Sequence, residues 1–196
     1  MDKYFKINKN KLNKLQINEI GKYSISKPKD AKFINEFIKN YFKSNKITVT
    51  DATGNVGGNS IAFGKEFEKV NSVEISPKHC KMLKNNIKVF GLKNVTVHCD
   101  NYLKIKNELK QDVVFIDAPW GGPEYKKKRS VRLYLNDESN KKVLLEDVVN
   151  SIKNTKLFVL KVPKNLDFIN FFKKIKYNQI IIHNMDKFII ISILVK

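Results

Sequence analysis

Short apolar runs alternate with helical patterns along most of the chain. The runs predict strands over residues 47–51, 70–75, 95–98, 112–117, 157–162, 179–183 and 187–195. Apolar positions spaced three or four residues apart predict helices over residues 28–41, 59–67, 77–90, 141–152 and 167–175. Strands that alternate with helices form a parallel sheet with right-handed crossovers. The pattern therefore predicts an α/β fold, and it shows no internal repeat.

The end of the chain makes this prediction more specific. Only Asn184-Met185-Asp186 separates the last two strands. So short a link can only form a hairpin, and the last two strands are therefore antiparallel. A mostly parallel sheet of seven strands that closes with such a hairpin resembles the Rossmann-like class I methyltransferases, which use S-adenosylmethionine.

The beginning of the chain has a weaker pattern. The first 27 residues are rich in Lys and Asn, and their only periodic apolar residues are Leu12, Leu15, Ile17 and Ile20. This set predicts a short helical extension that ends at Gly21, before Pro28 opens a stronger helix. We therefore divide the chain into an extension over residues 1–27 and a methyltransferase domain over residues 28–196. A polar, basic stretch over residues 119–139 predicts a loop.

Basic residues outnumber acidic residues two to one. The chain has 38 Lys and Arg against 19 Asp and Glu, a formal charge of +19. This excess excludes a neutral surface and indicates a polyanionic partner, either nucleic acid or an acidic membrane. An AT-rich genome accounts for part of it, because Lys, Asn and Ile have AT-rich codons. Hydrophobic residues make up 42% of the 196 residues, which excludes wholesale disorder and suffices for one domain with a core.

No segment predicts a membrane span or export. The longest apolar run, Phe188 to Val195, has the length of a strand, and the first residues lack the apolar stretch of a signal peptide. Cys80 and Cys99 predict neither a disulfide framework nor a zinc site, and Cys99 is expected to be a small packing residue. The three histidines lack metal-ligand spacing, so no metal is expected. With so few cysteines, we expect the protein to be located in a reducing intracellular compartment.

A glycine-rich loop connects the first strand to the next helix. Ligands of open α/β sheets bind at the carboxyl ends of strands, where glycines let the backbone approach a cofactor closely. The loop lacks the Gly-Lys-Ser/Thr ending of a phosphate-binding loop and the G-x-G-x-x-G pattern of NAD sites. Asp51 is placed to meet the cationic amino group of S-adenosylmethionine. The candidate cofactor residues here are Asp51, Thr53, Gly54, Asn55, Gly57 and Asn59.

Two further strand ends supply candidate cofactor residues. Glu74 follows the glycine loop by about twenty residues, the spacing at which a carboxylate accepts ribose hydroxyls, and Ile75 stands beside it. After the third strand, Asp100-Asn101 offers a polar side chain to the amino group of adenine. A turn that simply favours Asp and Asn explains this pair nearly as well.

The segment after the fourth strand is the most informative. Asp117-Ala118-Pro119-Trp120 has the Asp/Asn/Ser-x-Pro-aromatic pattern with which many amino-methyltransferases hold an exocyclic NH₂ group. Asp117 and nearby backbone carbonyls would accept its two N–H bonds, which aims the nitrogen lone pair at the methyl donor. Trp120 stands between Pro and Gly-Gly-Pro, without a helix or strand face to bury, and would stack on a flat base. The basic run over residues 126–129 is next to this candidate pocket and predicts phosphate contacts.

With these motifs the chain resembles the trimethylguanosine synthases, which are RNA cap guanine-N2 methyltransferases. The family's Asp-Ala-Phe-Cys-Gly-Val-Gly-Gly-Asn is matched over residues 51–59, and its Pro-Pro-Trp-Gly-Gly-Pro-Asp-Tyr over residues 118–125. The chain departs from the family at three places. Thr53-Gly54 replaces Phe-Cys, Asp117-Ala118 replaces Ser-Pro, and Asp100-Asn101 replaces Gly-Asp.

The resemblance implies roles for residues that the motifs alone do not reach. Lys3-Tyr4 resembles the start of a helical region that helps to form the substrate pocket, and Ser24 lies in a segment that touches cofactor and cap. Lys164-Asn165 resembles the family's Arg-Asn, which places Lys164 at the cap phosphates. The implied catalytic residues are Ser24, Asp117, Pro119 and Trp120. The implied substrate-binding residues are Lys3, Tyr4, Trp120, Tyr125, Lys164 and Asn165.

The resemblance implies methyl transfer from S-adenosylmethionine to the N2 amine of a 7-methylguanosine cap on RNA. Two alternatives stay open: an amino-methyltransferase that acts on an internal guanine or adenine, and a non-catalytic subunit that binds capped RNA. We expect a monomer that acts in the nucleus or cytoplasm. The AT-rich composition is compatible with a protist or with a large DNA virus, whose protein would act in the host cell.

Overall fold

The structure, a computed structural model, describes residues 4–5 and 7–195. The strands in this part of the chain are β1 (Thr48–Asp51), β2 (Lys69–Val73), β3 (Val95–His98), β4 (Val113–Ile116), β5 (Tyr134–Asn136), β6 (Lys142–Leu144), β7 (Leu157–Pro163), β8 (Gln179–Asn184) and β9 (Phe188–Leu194). The helices are α1 (Lys9–Leu12), α2 (Glu19–Ser24), α3 (Pro28–Phe42), α4 (Gly58–Glu66), α5 (Pro77–Phe90), α6 (Tyr102–Ile105), α7 (Leu145–Asn150) and α8 (Phe168–Lys174).

Seven strands form one sheet in the order β3-β2-β1-β4-β7-β9-β8, and β5 and β6 form a separate hairpin. The predicted seven-stranded α/β sheet is confirmed. The chain forms two compact units, Met1–Tyr102 and Leu103–Lys196. The division at residue 27 stays a prediction. Among the described residues, no helix combines the length and the apolar composition needed to cross a membrane.

In the first unit, β1, β2 and β3 are parallel neighbours. Asp51 pairs with Ser72, and Val73 pairs with His98, so the three strands end at the same edge of the sheet. All four residues of β1 are buried, which is typical of a strand covered on both faces. The segments that follow these three strands are therefore neighbours, and they carry the candidate cofactor residues.

Helix α5 has the bounds that the sequence predicts. Pro77 occupies its first turn, and Ser76 caps it by accepting the N–H of His79. Gly91 ends it with a φ of +73°, a left-handed conformation that glycine adopts without strain. Local capping residues thus fix both ends of this helix.

The extension differs from its prediction. Two short helices replace the single one, and Gly21 lies inside α2 rather than at its end. Asn18 begins α2 because its side-chain oxygen accepts the N–H of Gly21 at 2.7 Å. A Cβ at residue 21 would lie 3.1 Å from Cγ1 of Val56. Close packing, not helix termination, therefore explains this glycine.

The two cysteines also differ from their prediction. Cys80 in α5 and Cys99 after β3 form a disulfide, with Cα atoms 5.6 Å apart. That separation is ordinary for a disulfide, and the parallel strand–helix packing of this unit produces it. Cys99 is therefore a bonded, exposed residue and not the small packing residue expected from the sequence.

In the second unit, β4 and β7 are parallel, and β7, β9 and β8 are successively antiparallel. The turn between β8 and β9 closes where the N–H of Met185 donates to the carbonyl of Phe188. The predicted antiparallel hairpin is confirmed. Every residue of β4 and β7 is buried, including Lys161.

The middle of the second unit is more ordered than predicted. A 3₁₀ helix covers Pro123–Lys127, and β5 pairs with β6 where the sequence predicts a loop and then a helix from residue 141. Asp137 closes this hairpin, because its Oδ1 accepts the N–H groups of Ser139 and Lys141, both at 2.9 Å. Helix α7 therefore begins only at Leu145.

Candidate active site

The segment after β1 is a tight loop built on buried polar contacts. Asp51 is fully buried, with Oδ2 accepting the hydroxyl of Ser60 at 2.6 Å and Oδ1 accepting the N–H of Thr53 at 3.3 Å. A Cβ on Gly54 would lie 2.5 Å from Oγ of Ser72, so no larger residue fits there. Asp51 thus holds the loop against α4. Its contact with the amino group of a cofactor stays a prediction.

Two loop residues are explained by their backbone conformation. Gly57 has a φ of +102°, and Asn55 has a φ of +47°, both in the left-handed region. Glycine adopts this region freely, and asparagine tolerates it better than most residues do. The sharp turn into α4 is therefore sufficient to explain the residue types at these two positions, without a ligand contact.

Glu74 joins this loop to the end of β2. The side chain is buried, with Oε2 accepting the N–H of Asn55 at 2.7 Å and Oε1 accepting the N–H of Ser76 at 2.8 Å. An ionised carboxylate has about four lone-pair sites, so it can also accept hydroxyl groups of a ribose. Ile75, the next residue, is 57% exposed and offers an apolar surface to a flat base.

Two buried amide oxygens of the loop accept no hydrogen bond from the described residues. They are Oδ1 of Asn55 and Oδ1 of Asn59. A buried acceptor without a donor costs about 1–3 kcal/mol, so both atoms suit the N–H or O–H groups of a ligand. The ammonium and ribose hydroxyl groups of S-adenosylmethionine are such donors. The loop, Glu74 and Ile75 therefore fit this cofactor and would hold its methionine and ribose parts.

Asp100 and Asn101 follow β3 at the same edge of the sheet. The Oδ1 of Asp100 accepts the backbone N–H of Asn101, the next residue, at 2.7 Å. Asn101 is only 7% exposed, whereas Asp100 is half-buried. Burial lowers the pKa of His98, and the charge of Asp100 partly opposes this. Contact of either residue with an adenine stays a prediction.

The end of the extension packs on the beginning of α4. The amide of Asn59 donates to the hydroxyl of Ser26 at 3.0 Å, and a Cβ on Gly58 would lie 2.5 Å from Cγ1 of Ile25. Ser24, the last residue of α2, is exposed, so its predicted contact with cofactor and cap stays a prediction. Ser26 belongs to the same predicted segment, residues 21–26, but only Ser24 was predicted as a site residue.

The start of the extension packs in the same unit. Half-buried Tyr4 lies against a cluster of buried apolar residues that includes Leu15 and Val56. Lys3, predicted to help to form the substrate pocket, lies outside the described residues. The predicted substrate contact of Tyr4 therefore stays a prediction on a segment anchored near the glycine loop.

Two side chains of α5 connect the extension to the cofactor residues. The fully buried Asn86 bonds to the backbone of Gln16 and donates to the carbonyl of Val56, each at 2.8 Å. His79 contacts the amide of Asn18 through Nε2 at 3.0 Å, and its Nδ1 lies 3.9 Å from Oε1 of Glu74. Sequence reasoning missed both contacts, because no local pattern links α5 to residues that are sixty or more positions away.

In the second unit, Asp117 follows β4 and forms an ion pair with Lys161 of β7. The Nζ of Lys161 lies 2.7 Å from Oδ2 of Asp117, and both side chains are largely buried. Burial raises the pKa of Asp117. The charge and hydrogen bond of Lys161 partly oppose this, and so, to a smaller extent, does the Trp120 side chain. In the described part of the chain, however, the indole Nε1 of Trp120 has no hydrogen bond of ordinary geometry.

The aromatic loop follows directly. Trp120 is half-buried and meets Tyr125 edge-on, with ring centroids 5.2 Å apart and planes at 84°. Pro119 is exposed, and Gly121 and Gly122 both have positive φ values, of +92° and +68°. The two glycines turn the chain so that Tyr125 reaches the indole ring. The flat face of an indole is the surface on which a base stacks, and Nζ of Lys161 lies over this ring, 5.6 Å from its centroid.

Asn165 ties the basic run to the end of β7. Its amide donates to the carbonyls of Tyr125 at 2.9 Å and Lys128 at 2.8 Å. This assigns Asn165 a bracing role that the resemblance did not imply. Lys164, one residue earlier, is exposed. Its predicted contact with cap phosphates stays a prediction.

The structure thus groups most of the predicted residues. Those of the glycine loop, Glu74, Ile75 and Asp100-Asn101 lie at one edge of the first unit. Asp117, Trp120, Tyr125 and Asn165 lie together in the second. Lys161 was not predicted as a site residue. The sequence feature that could have indicated it is the position of a lysine inside the otherwise apolar run Leu157–Pro163. Within the described residues, no cluster of three or more His, Cys, Asp or Glu side chains could hold a metal ion.

Comparison with curated proteins supports the family suggested by the motifs. An uncharacterised protein of Acanthamoeba polyphaga mimivirus is 36% identical over 151 residues, which cover 76% of this chain and 58% of that protein. Trimethylguanosine synthase of Schizosaccharomyces pombe is 32% identical over 110 residues, which cover 53% of this chain and 45% of that enzyme. The chain therefore spans about half the length of the curated relatives it matches.

Comparison with solved structures shows the methyltransferase fold. A 16S rRNA N2 G1207 methyltransferase of Thermus thermophilus, solved with AdoMet and guanosine, has a TM-score of 0.64 at 12% identity over 85% of this chain and 43% of that one. An rRNA methylase of Streptococcus thermophilus has a TM-score of 0.57 at 10% identity over 88% of this chain and 99% of that one. The family model of the RNA cap guanine-N2 methyltransferases matches residues 46–193, well over half of the chain. The chain belongs to the RNA cap guanine-N2 methyltransferase family.

Proposed function

We propose that this chain transfers a methyl group from S-adenosylmethionine to the N2 amine of a 7-methylguanosine cap on RNA. The observation that carries the proposal is the segment of residues 117–125, in which the half-buried indole of Trp120 follows the largely buried carboxylate of Asp117. Membership of the cap guanine-N2 family supports a capped RNA as the substrate.

Trp120 would recognise the methylated base. A guanine methylated at N7 is cationic, so the face of an indole attracts it both by stacking and by a cation–π contribution. Together these are worth about 1–3 kcal/mol. A guanine without the N7 methyl group loses the cationic part. Tyr125 packs against the indole with the two ring planes at 84°, a contact that helps to position the ring.

Asp117 would orient the amine that receives the methyl group. Its buried carboxylate and the backbone carbonyls near it accept N–H bonds, which aim the nitrogen lone pair away from the carboxylate. The bound cofactor supplies an electrophilic methyl group on a sulfonium. Positioning then accounts for most of the rate, and the proton lost from the amine passes to an acceptor such as water, so we assign no dedicated general base.

Basic side chains would hold the phosphates. Lys164 and the run over residues 126–129 are exposed, and Asn165 fixes the backbone of that run at Tyr125 and Lys128. The overall charge of +19 strengthens the attraction to RNA. We propose that the protein acts on capped RNA as a monomer, inside the nucleus or cytoplasm.

The test is a methyl-transfer assay with labelled S-adenosylmethionine. A 7-methylguanosine cap analogue and the same analogue without the N7 methyl group are compared, and product mass shows whether one or two methyl groups are added. Transfer to the 7-methylated analogue alone supports the proposal. Cofactor binding without transfer to either analogue refutes it and favours an internal base or a non-catalytic role.

A further inference from the structure

A charged residue lies inside the most buried strand of the second unit. All seven residues of β7 are buried, and Lys161 is only 7% exposed. The residues around it in the strand are apolar, so an ammonium group there is costly unless its charge is paired. The methyl transfer described above assigns no role to this lysine.

The pairing of β4 with β7 explains why Lys161 reaches Asp117. Ile116, the last residue of β4, pairs with Leu160, so Asp117 and Lys161 are the next residues along the two chain segments. The resulting contact is short, at 2.7 Å between Nζ and Oδ2. The side chains are 8% and 15% exposed, so solvent screens the pair weakly.

The ammonium group of Lys161 also lies near two aromatic rings. Its Nζ is 5.6 Å from the ring centroid of Trp120 and 5.2 Å from that of Phe188, at the start of β9. Lys161 is therefore held from three sides: by a carboxylate after β4, by an indole from the aromatic loop and by a phenyl ring from β9.

We propose that Lys161 is a positioning residue that acts through Asp117, because its ammonium group fixes the carboxylate on which the acceptor amine docks. This inference rests on the proposed function, since Asp117 is the group that the amine would meet. It also explains why Asp117 can stand where the family has Ser, because the carboxylate is matched by a cation from β7.

Two physical effects support this role. First, a hydrogen bond to a charged group is stronger and better oriented than a neutral one, so it limits rotation of the carboxylate. Second, burial raises the pKa of Asp117, and the charge and hydrogen bond of Lys161 oppose this rise more than the Trp120 side chain does. Trp120 and Phe188, which face the pair from the loop and β9, carry no charge. Loss of Lys161 would therefore favour the protonated carboxyl, which accepts hydrogen bonds poorly.

The charge balance matters for a cationic base as well. Without the carboxylate, Lys161 would place an uncompensated positive charge 5.6 Å from the centre of the ring on which the base stacks. With the carboxylate, the pair is neutral. Asp117 and Lys161 are therefore expected to act as a unit, whose members cannot be changed separately without loss.

The same two strands provide a matched control. At their other ends, Lys156 lies 3.2 Å from Oδ1 of Asp112. This second ion pair joins the residues that immediately precede β4 and β7, five positions before Asp117 and Lys161, but the Lys156 side chain is 69% exposed. Lys156→Met removes a lysine–carboxylate pair from the same strands without touching the aromatic loop.

The experiment compares the wild-type protein with Lys161→Met, Lys161→Arg, Lys156→Met and the double variant Asp117→Asn/Lys161→Met. The first readout is kcat/KM for a 7-methylguanosine cap analogue as a function of pH, with saturating S-adenosylmethionine. The second is the pH dependence of indole fluorescence, which reports on Trp120 alone because the chain has one Trp.

We expect Lys161→Met to raise the acidic midpoint of both profiles by about 1–3 pH units, the usual effect of losing an adjacent opposite charge. Where the midpoint lies above the pH of the assay, each further pH unit of the shift lowers kcat/KM at that pH about tenfold. Lys161→Arg should retain both midpoints because it keeps the cation, and Lys156→Met should match the wild type.

Unchanged midpoints in Lys161→Met would overturn the proposal. If that variant fails to fold, the double variant decides, because it buries no unpaired charge. It is compared with Asp117→Asn alone, in which the carboxylate is already gone. If Lys161 acts through Asp117, its removal in that background causes no further loss of kcat/KM, whereas a double variant clearly less active than Asp117→Asn overturns the proposal. If the wild type methylates no cap analogue, the proposed function fails, and the fluorescence midpoints still decide whether Lys161 controls Asp117.

Discussion

Asn86 offers a sharp test of how the extension supports the cofactor loop. Its side chain is completely buried and makes three hydrogen bonds of 2.8 Å to backbone groups, two to Gln16 and one to the carbonyl of Val56. Asn86→Ala removes all three. The N–H and carbonyl of Gln16 and the carbonyl of Val56 then lose these partners.

The magnitude follows from these contacts. A typical buried hydrogen bond contributes about 1 kcal/mol, so the three lost bonds lower the free energy of unfolding by about 3 kcal/mol. Domains of this size are commonly stable by about 5–15 kcal/mol, so the variant should still fold. Because Val56 lies within the glycine loop, we also expect weaker binding of S-adenosylmethionine.

Urea unfolding with and without S-adenosylmethionine measures both effects. The free energy of unfolding without ligand gives the structural loss, and the increase on adding ligand reports its affinity. Lys84→Ala, an exposed change on the same helix, is the control and should match the wild type in both respects. If Asn86→Ala unfolds at the same urea concentration as this control, the bracing role of Asn86 is refuted.

Three further changes test the rest of the site. Trp120→Ala should weaken binding of a 7-methylguanosine nucleotide by about 1–3 kcal/mol, measured by calorimetric titration, and should leave S-adenosylmethionine binding intact. Equal loss of both affinities contradicts the assignment of Trp120 to the base. Glu74→Gln should weaken S-adenosylmethionine binding about tenfold or more by calorimetry, because the charged acceptor for the ribose hydroxyls is lost. The control is Glu68→Gln, a change at an exposed glutamate, which should leave this binding unchanged. The pKa of Asp117 is raised in the folded protein, so the folded state binds its proton more tightly than the unfolded chain does. The free energy of unfolding contributed by this group is therefore present at low pH and is lost as pH rises from about 4 through the folded pKa. Urea titrations across that range should show this slope in the wild type and its loss in Asp117→Asn, and an identical slope in both would exclude Asp117 as its source.

Much of the fold was predictable because local residues determine it. Helix α5 and strand β3 have their predicted bounds, since Pro77 and Gly91 delimit the helix and alternation defines the strand. The hairpin of β5 and β6 was missed because each strand has three residues, too few to show alternation. Its one local sign is the turn-forming run around Asp137, whose side chain closes the turn.

The candidate site was predictable where chemistry and sequence spacing coincide. Glu74 and the glycine loop follow successive strands, so a parallel sheet brings them together without further information. Lys161 was not predictable, because its meaning depends on the pairing of β4 with β7. The bridge from Cys80 to Cys99 likewise depends on how a helix packs on a strand, which spacing alone does not show.

The packing of the extension has a consequence for how this family is delimited. The family model begins at residue 46, yet Phe5, Leu15 and Ile25 share one apolar cluster with Val56 and Leu83. An expression fragment cut at residue 46 would uncover that cluster beside the glycine loop and would be prone to aggregation. The segment that the family model matches is thus shorter than the segment that shares this apolar cluster, and recombinant work on this protein should retain the residues before residue 46.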